Sequence, residues 1–330
     1  MAPRRERALC VTSSAVTRVN KTRDHGGGLD AAILTFGGTR SDWLDLSTGI
    51  NPVAYPIGEI STDAWTALPD YTAMEKLLTA ARQFWNVPDG AEIVAAGGVS
   101  ALIAAMPIVF AGARVTIPTP TYNEHAAAFI AHDWKVQQVG PSDVHVLVHP
   151  NNPDGKIWQA KDVRGPAIID ESFCDVMPKE SLIAKADLTN CIVLKSFGKF
   201  WGLAGVRLGF AICSPALAQR LRDYLGPWAV SGPALEVGAQ ALTDMVWANA
   251  TRKRLAADVA QLDKVVGLPV VGGTDLFRLY EVANAAAAQE YLASGHVWSR
   301  IFPYSTTWLR LGLPHPDRWD QLDLSIAGLR

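Results

Sequence analysis

At 330 residues, 49 % hydrophobic and 19 % charged, the chain is not composed like a disordered segment and is long enough for one large α/β unit or a large domain with a smaller companion. Its 30 basic and 32 acidic residues leave a net charge of −2, which excludes a general field for nucleic acid or an anionic membrane, so an anionic ligand must be held by local arginines. The four cysteines, Cys10, Cys174, Cys191 and Cys213, show no C-x-x-C spacing and no disulfide-scaffold density; they read as reduced thiols in a cytoplasm, and no metal is expected.

In chain order, residues 1–23 are basic but lack the apolar stretch of a signal peptide and read as a frayed arm. Residues 94–113 carry no charge over the length that spans a bilayer, yet Gly97-Gly98 and Pro107 interrupt them, which predicts strand, turn, buried helix and strand rather than a membrane span. From residue 91 short apolar runs alternate with helical stretches. "EIVAA", "ARVTIP", "VHVLVHP", "PAIIDESF" and "NCIVLKSF" read as strands, with helices over 99–110 and 122–132. That alternation predicts a mostly parallel sheet covered on both faces, whose ligands sit beyond the carboxyl ends of the strands. Asn151, Asn152, Asp170 and Lys199 all fall there. Ser231 and Pro233 open a long helical stretch to about residue 265. "DLFRLYEV", a helix near 283–294, "HVWSRIF" and "TWLRLGLP" then predict a smaller α+β domain.

The stretch "SFGKFWGLAGVRLGF", residues 196–210, sets Lys199 among apolar and aromatic side chains. A lysine in such a place needs an anion, a structural partner or a covalent role. Asp170 closes the apolar run "AIID", where a carboxylate either caps the next element or meets a buried cation; Asn152 lies in the turn "HPNNPDG". "AAGGVSALI" is a strand, a glycine turn and a helix start, so the amides of Gly98, Val99 and Ser100 are candidate donors to an anion.

In this order and spacing the residues resemble the aspartate-aminotransferase superfamily, the fold-type-I enzymes that use pyridoxal 5′-phosphate, over roughly residues 45–315. Residues 196–210 are similar to the family's S-x-x-K-x-x-G-L-x-G-x-R-x-G signature, whose lysine bonds covalently to the cofactor aldehyde. The resemblance implies an α/β fold with a smaller α+β domain. Residues 1–45 would form an arm and part of the small domain, 46–228 the large cofactor domain, and 229–330 an interdomain helix and the small domain. It assigns Lys199, Asp170, Asn152 and Tyr122 to catalysis: Asp170 to the pyridinium nitrogen, Asn152 to the ring hydroxyl, Tyr122 to stacking on the ring. Gly98, Val99, Ser100, Ser196 and Arg207 would hold the cofactor phosphate. Two departures stand out, Phe173 where the family's D-E-x-Y has tyrosine, and Leu68 in "ALPD" where R-Y-P-D has one, with Tyr71 as the candidate stand-in.

Arg310 in "TWLRLGLP" matches the family's carboxylate-binding arginine, and Arg300 lies one strand earlier, which points to a doubly anionic substrate. "DHGGGLDAA", "WLDLSTGINP" and "GPWAVSGPAL" resemble the threonine-phosphate decarboxylase branch, related to the histidinol-phosphate aminotransferases. That branch removes CO2 from L-threonine O-3-phosphate in cobalamin biosynthesis. It implies a phosphorylated amino-acid substrate, a homodimer, and substrate contacts from His25, Gly26, Asn51, Arg300 and Arg310. A phosphate-recognising aminotransferase is the alternative.

Overall fold

The computed structural model describes residues 23–184 and 188–329; of the arm expected over 1–23, residues 1–22, with Cys10, lie outside them, while Arg23 is described and pairs with Glu124. Helix α1 (Leu29–Phe36) and strand β1 (Leu44–Asp45) come first, then α2 (Thr62–Thr66) and α3 (Tyr71–Phe84). The two later helices start at side-chain caps: Ser61 Oγ accepts the Ala64 amide at 3.2 Å, and Asp70 Oδ1 the Ala73 amide at 2.8 Å.

The predicted alternation follows as β2 (Glu92–Ala96), α4 (Val99–Val109), β3 (Arg114–Thr116), α5 (Asn123–Ile130), β4 (Lys135–Gln137), β5 (Val144–Val148), β6 (Ala167–Asp170), β7 (Cys191–Ser196), β8 (Gly209–Cys213) and α6 (Pro215–Leu225). The strands form one seven-stranded sheet in the order β2-β8-β7-β6-β5-β3-β4. It is mostly parallel, with β8 reversed against both β2 and β7. Successive side chains alternate between two cores, as the two-residue period of a strand requires. Ile93, Ile169, Val193 and Ile212 pack with Leu77, Trp201 and Leu235 on one face. Val94, Ile168, Ile192 and Ala211 pack with Leu102, Met106 and Phe129 on the other.

The long helical stretch divides into α7 (Gly232–Thr243) and α8 (Met245–Val266). Ser231 precedes α7 without a side-chain capping bond, whereas Asp244 ends one helix and caps the next, its Oδ1 accepting the Trp247 amide at 2.9 Å. Next come β9 (Val270–Thr274), β10 (Phe277–Glu281), α9 (Ala285–Ser294), β11 (Val297–Trp298), β12 (Arg300–Phe302), β13 (Ser305–Gly312) and α10 (Trp319–Ile326). An antiparallel sheet runs β12-β13-β10-β9, while β11 pairs in parallel with β1. The pairing carries the chain after β1 onto the end of β13, where the Gly312 amide donates to Leu46 O at 2.7 Å. Residues 47–49 thereby reach the carboxyl ends of the large sheet. Among the described residues no helix is long and apolar enough to cross a membrane, and the uncharged run from 94 is β2, a turn and α4.

Candidate active site

Two adjoining cavities, of about 510 and 130 Å³, open at the carboxyl ends of β5, β6 and β7 and share Ser100, Tyr122, Asn152, Phe173 and Lys199. The smaller is the more enclosed one. Gly98, Val99, Ser100, Ser196 and Arg207 line one end of it and Asp170 the other.

Asp170 ends β6 with its carboxylate buried. His125 Nε2 lies 2.9 Å from Oδ2, and the Ser172 hydroxyl and amide donate to Oδ1 at 2.5 and 3.0 Å. Burial works to raise this carboxyl; the hydrogen bonds from His125 and Ser172 overcome it and hold the group below the ordinary carboxylate value. The site therefore ends in a fixed negative charge.

Lys199 sits in the turn after β7, which is braced from behind: the Asn51 and Gly202 amides both donate to Lys199 O, at 3.0 and 3.2 Å. Its Nζ stands 5.5 Å from the Phe173 ring. Burial first, then the guanidinium charges of Arg310 and Arg207, pull the amine down to about 8 against the pull of Asp170. Far more of the neutral amine, the nucleophilic form, is therefore present near neutrality than for an ordinary lysine, although the ammonium still predominates.

At the opposite end α4 points its first turn into the cavity. Gly98 takes a φ of +93° and turns its amide to Ala96 O at 2.6 Å, which corrects its expected role as a donor to a ligand. Val99 and Ser100, in the first turn, have no intrahelical acceptor for their amides. A Cβ at Gly98 would lie 2.6 Å from an Arg207 guanidinium nitrogen, so the glycine makes room for that cation. Arg207 itself has a left-handed backbone, φ +57°, and donates to Ala204 O at 3.0 Å. Tyr122, just ahead of α5, meets His125 edge to face at 6.2 Å; burial, then Glu124 and Asp170, push its hydroxyl up to about 12, so it stays protonated.

Arg310 is buried at the floor of the larger cavity, donating to Asn152 Oδ1 and to Ser47 O, the latter at 2.8 Å, while its Nε is buried without a partner. Burial and the neighbouring Arg300 lower it to about 10, still a cation at neutral pH. Arg300 pairs with it in register across β12 and β13. Of the other predicted substrate residues, Gly26 packs where a Cβ would meet Ser47 O at 2.4 Å, and His25 lies 3.0 Å from Glu124 at the mouth. Asn51 is placed elsewhere: its side chain is used by Phe200 O at 2.8 Å and Arg254 at 2.6 Å, behind the Lys199 turn, and it lines neither cavity.

One arrangement thus joins a low-pKa lysine, a buried carboxylate and an anion cradle, with two arginines beside them. The pattern of the aminotransferase class I and II family matches residues 42–320. The chain belongs to that family. Within it, the chain is 37 % identical to a threonine-phosphate decarboxylase of Sinorhizobium sp. over 88 % of this chain and 92 % of that one. It is also 37 % identical to the threonine-phosphate decarboxylase of Pseudomonas aeruginosa, over 93 % and 98 %. A histidinol-phosphate aminotransferase of Archaeoglobus fulgidus is 28 % identical over 54 % of this chain and 59 % of its own. Among solved structures, a histidinol-phosphate aminotransferase from Sinorhizobium meliloti in complex with pyridoxal 5′-phosphate superposes with a TM-score of 0.76 at 16 % identity, covering 96 % of this chain and 98 % of that one. The L-threonine-O-3-phosphate decarboxylase from Porphyromonas gingivalis gives 0.67 at 19 %, covering 81 % and 93 %.

As a member of this aminotransferase family, the chain holds site residues that sequence reasoning missed: His125 and Ser172 on Asp170, and Phe302 and Tyr304 lining the larger cavity. His125 was legible in principle, three positions after Tyr122 at the start of a helix and so near it on the helix surface. The triad His149, Glu171 and Cys174, whose possible ligand atoms lie within 4.8 Å of one another, is already engaged: His149 Nε2 with Glu180 O at 2.8 Å, its Nδ1 with the Trp158 amide at 3.1 Å, and Glu171 with Lys195 at 2.6 Å.

Proposed function

We propose that the chain is a pyridoxal-phosphate-dependent threonine-phosphate decarboxylase, converting L-threonine O-3-phosphate to (R)-1-amino-2-propanol O-2-phosphate for cobalamin biosynthesis. The observation that carries this reading is the 37 % identity to two threonine-phosphate decarboxylases across about nine-tenths of the chain. The aminotransferase alternative has less behind it, because the histidinol-phosphate relative matches only 54 % of the chain.

The residues fit the cofactor. Gly98, whose missing Cβ leaves the space Arg207 fills, shapes an anion cradle with the Val99 and Ser100 amides and Ser196. When bound, pyridoxal phosphate would supply an electron sink, joined through the substrate's amino nitrogen and conjugated to the bonds at Cα. Asp170, kept ionised by His125 and Ser172, holds a proton on the ring nitrogen and so maintains that sink. Asn152, whose Oδ1 accepts from Arg310, would have its amide nitrogen to offer to the ring oxygen, and Tyr122 would cover one face of the ring. Arg300 and Arg310 take the substrate's phosphate and carboxylate, and that orientation decides whether CO2 or the Cα proton leaves. Lys199, freed by substrate, returns a proton to Cα.

We read residues 46–228 as the cofactor domain and 229–330, with part of 1–45, as the interdomain helix and small domain. The enzyme acts as a homodimer in the cytoplasm, a placing in keeping with four cysteines that have neither C-x-x-C spacing nor disulfide-scaffold density. Incubating the cofactor-loaded protein with L-threonine O-3-phosphate should release CO2 and the amino alcohol phosphate. A keto acid with pyridoxamine phosphate would instead establish the aminotransferase.

A further inference from the structure

Residues 23–25 cross the mouth of the larger cavity as a strap tied on both sides. On the α5 side Arg23 pairs with Glu124, His25 Nε2 lies 3.0 Å from the other Glu124 oxygen, and Asn123 donates to Asp24 O at 2.9 Å. On the β12 side the Asp24 carboxylate receives both terminal nitrogens of Arg300, at 2.5 and 2.7 Å. The same nitrogens also donate to His25 O at 3.0 Å and Asp24 O at 3.2 Å. The Arg300 side chain is 13 % exposed and that of Asp24 45 %. One of the two arginines awaiting an anionic substrate thus already carries a carboxylate from its own chain.

The arrangement has an electrostatic reason. Arg300 and Arg310 are direct cross-strand partners, and like charges in that position repel. Phe302 is wedged against both guanidinium groups, 5.1 Å from one and 5.8 Å from the other. Asp24 supplies one negative charge to a pair that carries two positive ones, leaving one formal charge unbalanced.

We propose that Asp24 is a specificity residue, a resident carboxylate on Arg300 that turns away free carboxylates and yields to a phosphate dianion. A free carboxylate arriving at Arg300 replaces a group of the same charge and the same two-oxygen geometry. It gives up its translational freedom, whereas Asp24, tethered beside its partner, competes at a high effective concentration. The exchange therefore runs against the newcomer. A phosphate monoester brings close to two negative charges above its second pKa of about 6, and a third acceptor oxygen. It brings to Arg300 about twice the charge that Asp24 supplies, and the half-exposed Asp24 has solvent to move into. The choice of phosphate as the favoured anion rests on the threonine-phosphate reading; the Asp24–Arg300 pairing stands without it.

The test is a binding comparison on the cofactor-loaded enzyme at pH 8, following the cofactor absorbance while titrating with O-phospho-L-threonine or with L-glutamate, whose distal group is a carboxylate. Wild type should prefer the phosphate. D24N should narrow that preference by about tenfold, a change of about 1.4 kcal/mol, mainly through tighter glutamate binding. D24E, which keeps the charge, should restore it. Three results overturn the proposal: no preference in wild type, an unchanged ratio in D24N, or both ligands weakened in parallel, which is what a merely structural strap would give. Tight, phosphate-selective binding with no release of CO2 would leave the role of Asp24 standing and remove the decarboxylase reading.

Discussion

Lys195 and Lys199 stand four residues apart and show how partners, not burial, decide what a lysine does. Burial works to lower both. At Lys195, Glu171 at 2.6 Å and Asp175 at 3.3 Å more than offset it, and the ammonium is held above the ordinary lysine value. At Lys199 the added cations Arg310 and Arg207 push the same way as burial, to about 8. Lys195 is thus the lysine with a structural partner, and Lys195→Met, which strands two carboxylates, should lower stability by about 3–5 kcal/mol in urea unfolding. For Lys199 the sign runs the other way. Between pH 8 and the ordinary lysine value the unfolded chain holds a proton that the native site has released, so stability of the cofactor-free protein rises with pH across that window. Covalent capture of added pyridoxal phosphate, followed by stopped-flow absorbance, should rise with pH and level off just above pH 8. A rate still climbing past about pH 10 would mean an unperturbed lysine. His125 acts one step further back. His125→Ala removes a hydrogen bond to a charged group, of about 1.5–3 kcal/mol, and leaves burial less opposed at Asp170. Its carboxyl should rise, kcat should fall, and the pH profile should shift on its acid side.

The cradle is built where two elements meet closely, and glycines set the distance. A Cβ at Gly209, the first residue of β8, would stand 2.5 Å from the Val99 amide nitrogen and 2.7 Å from Gly98 C. Because those are backbone atoms, Gly209→Ala must part β8 from the start of α4. We expect a loss of about 1–3 kcal/mol in stability together with weaker cofactor retention on dialysis, whereas a variant that keeps the cofactor would show the contact to be slack. Elements of this kind also mark how far the sequence could be read. β2, β5, β6 and β7 were legible as short apolar runs, because both faces of the sheet are covered where they lie. β4, three residues at the sheet edge, and β9, with two glycines, carry too few β-formers to stand out. β8 was hidden inside a motif read for its lysine and arginine rather than its strand. Lys199, Asp170, Arg207 and Arg310 could be placed because strand ends and a signature pattern fix them. Asn51 could not, since whether a buried amide meets a ligand or a carbonyl such as that of Phe200, 149 positions away, depends on packing between distant segments.

At the scale of the whole molecule the unpaired surface is informative. Ile57, Trp65, Leu68 and Trp228 are 53, 67, 67 and 58 % exposed, and they border one groove of about 600 Å³ running past the start of α7. Scattered apolar residues on a surface need no explanation, but two tryptophans and two aliphatic side chains around one groove form a patch of the kind that marks an interface. Tyr71, at the first position of α3 and 89 % exposed, lies three residues beyond Leu68. The homodimer proposed above predicts that a second copy covers this surface, with the short α2 presenting Trp65 to it. Sedimentation equilibrium should then give twice the 35.5 kDa of the chain. Trp65→Asp combined with Leu68→Asp places two charges where apolar surface must be buried. Since neither side chain belongs to the core, the fold should survive and the mass should fall to that of a single chain. A double variant that folds and remains dimeric would move the interface elsewhere. A monomeric wild type would remove the dimer, and leave the exposed tryptophans to a different partner.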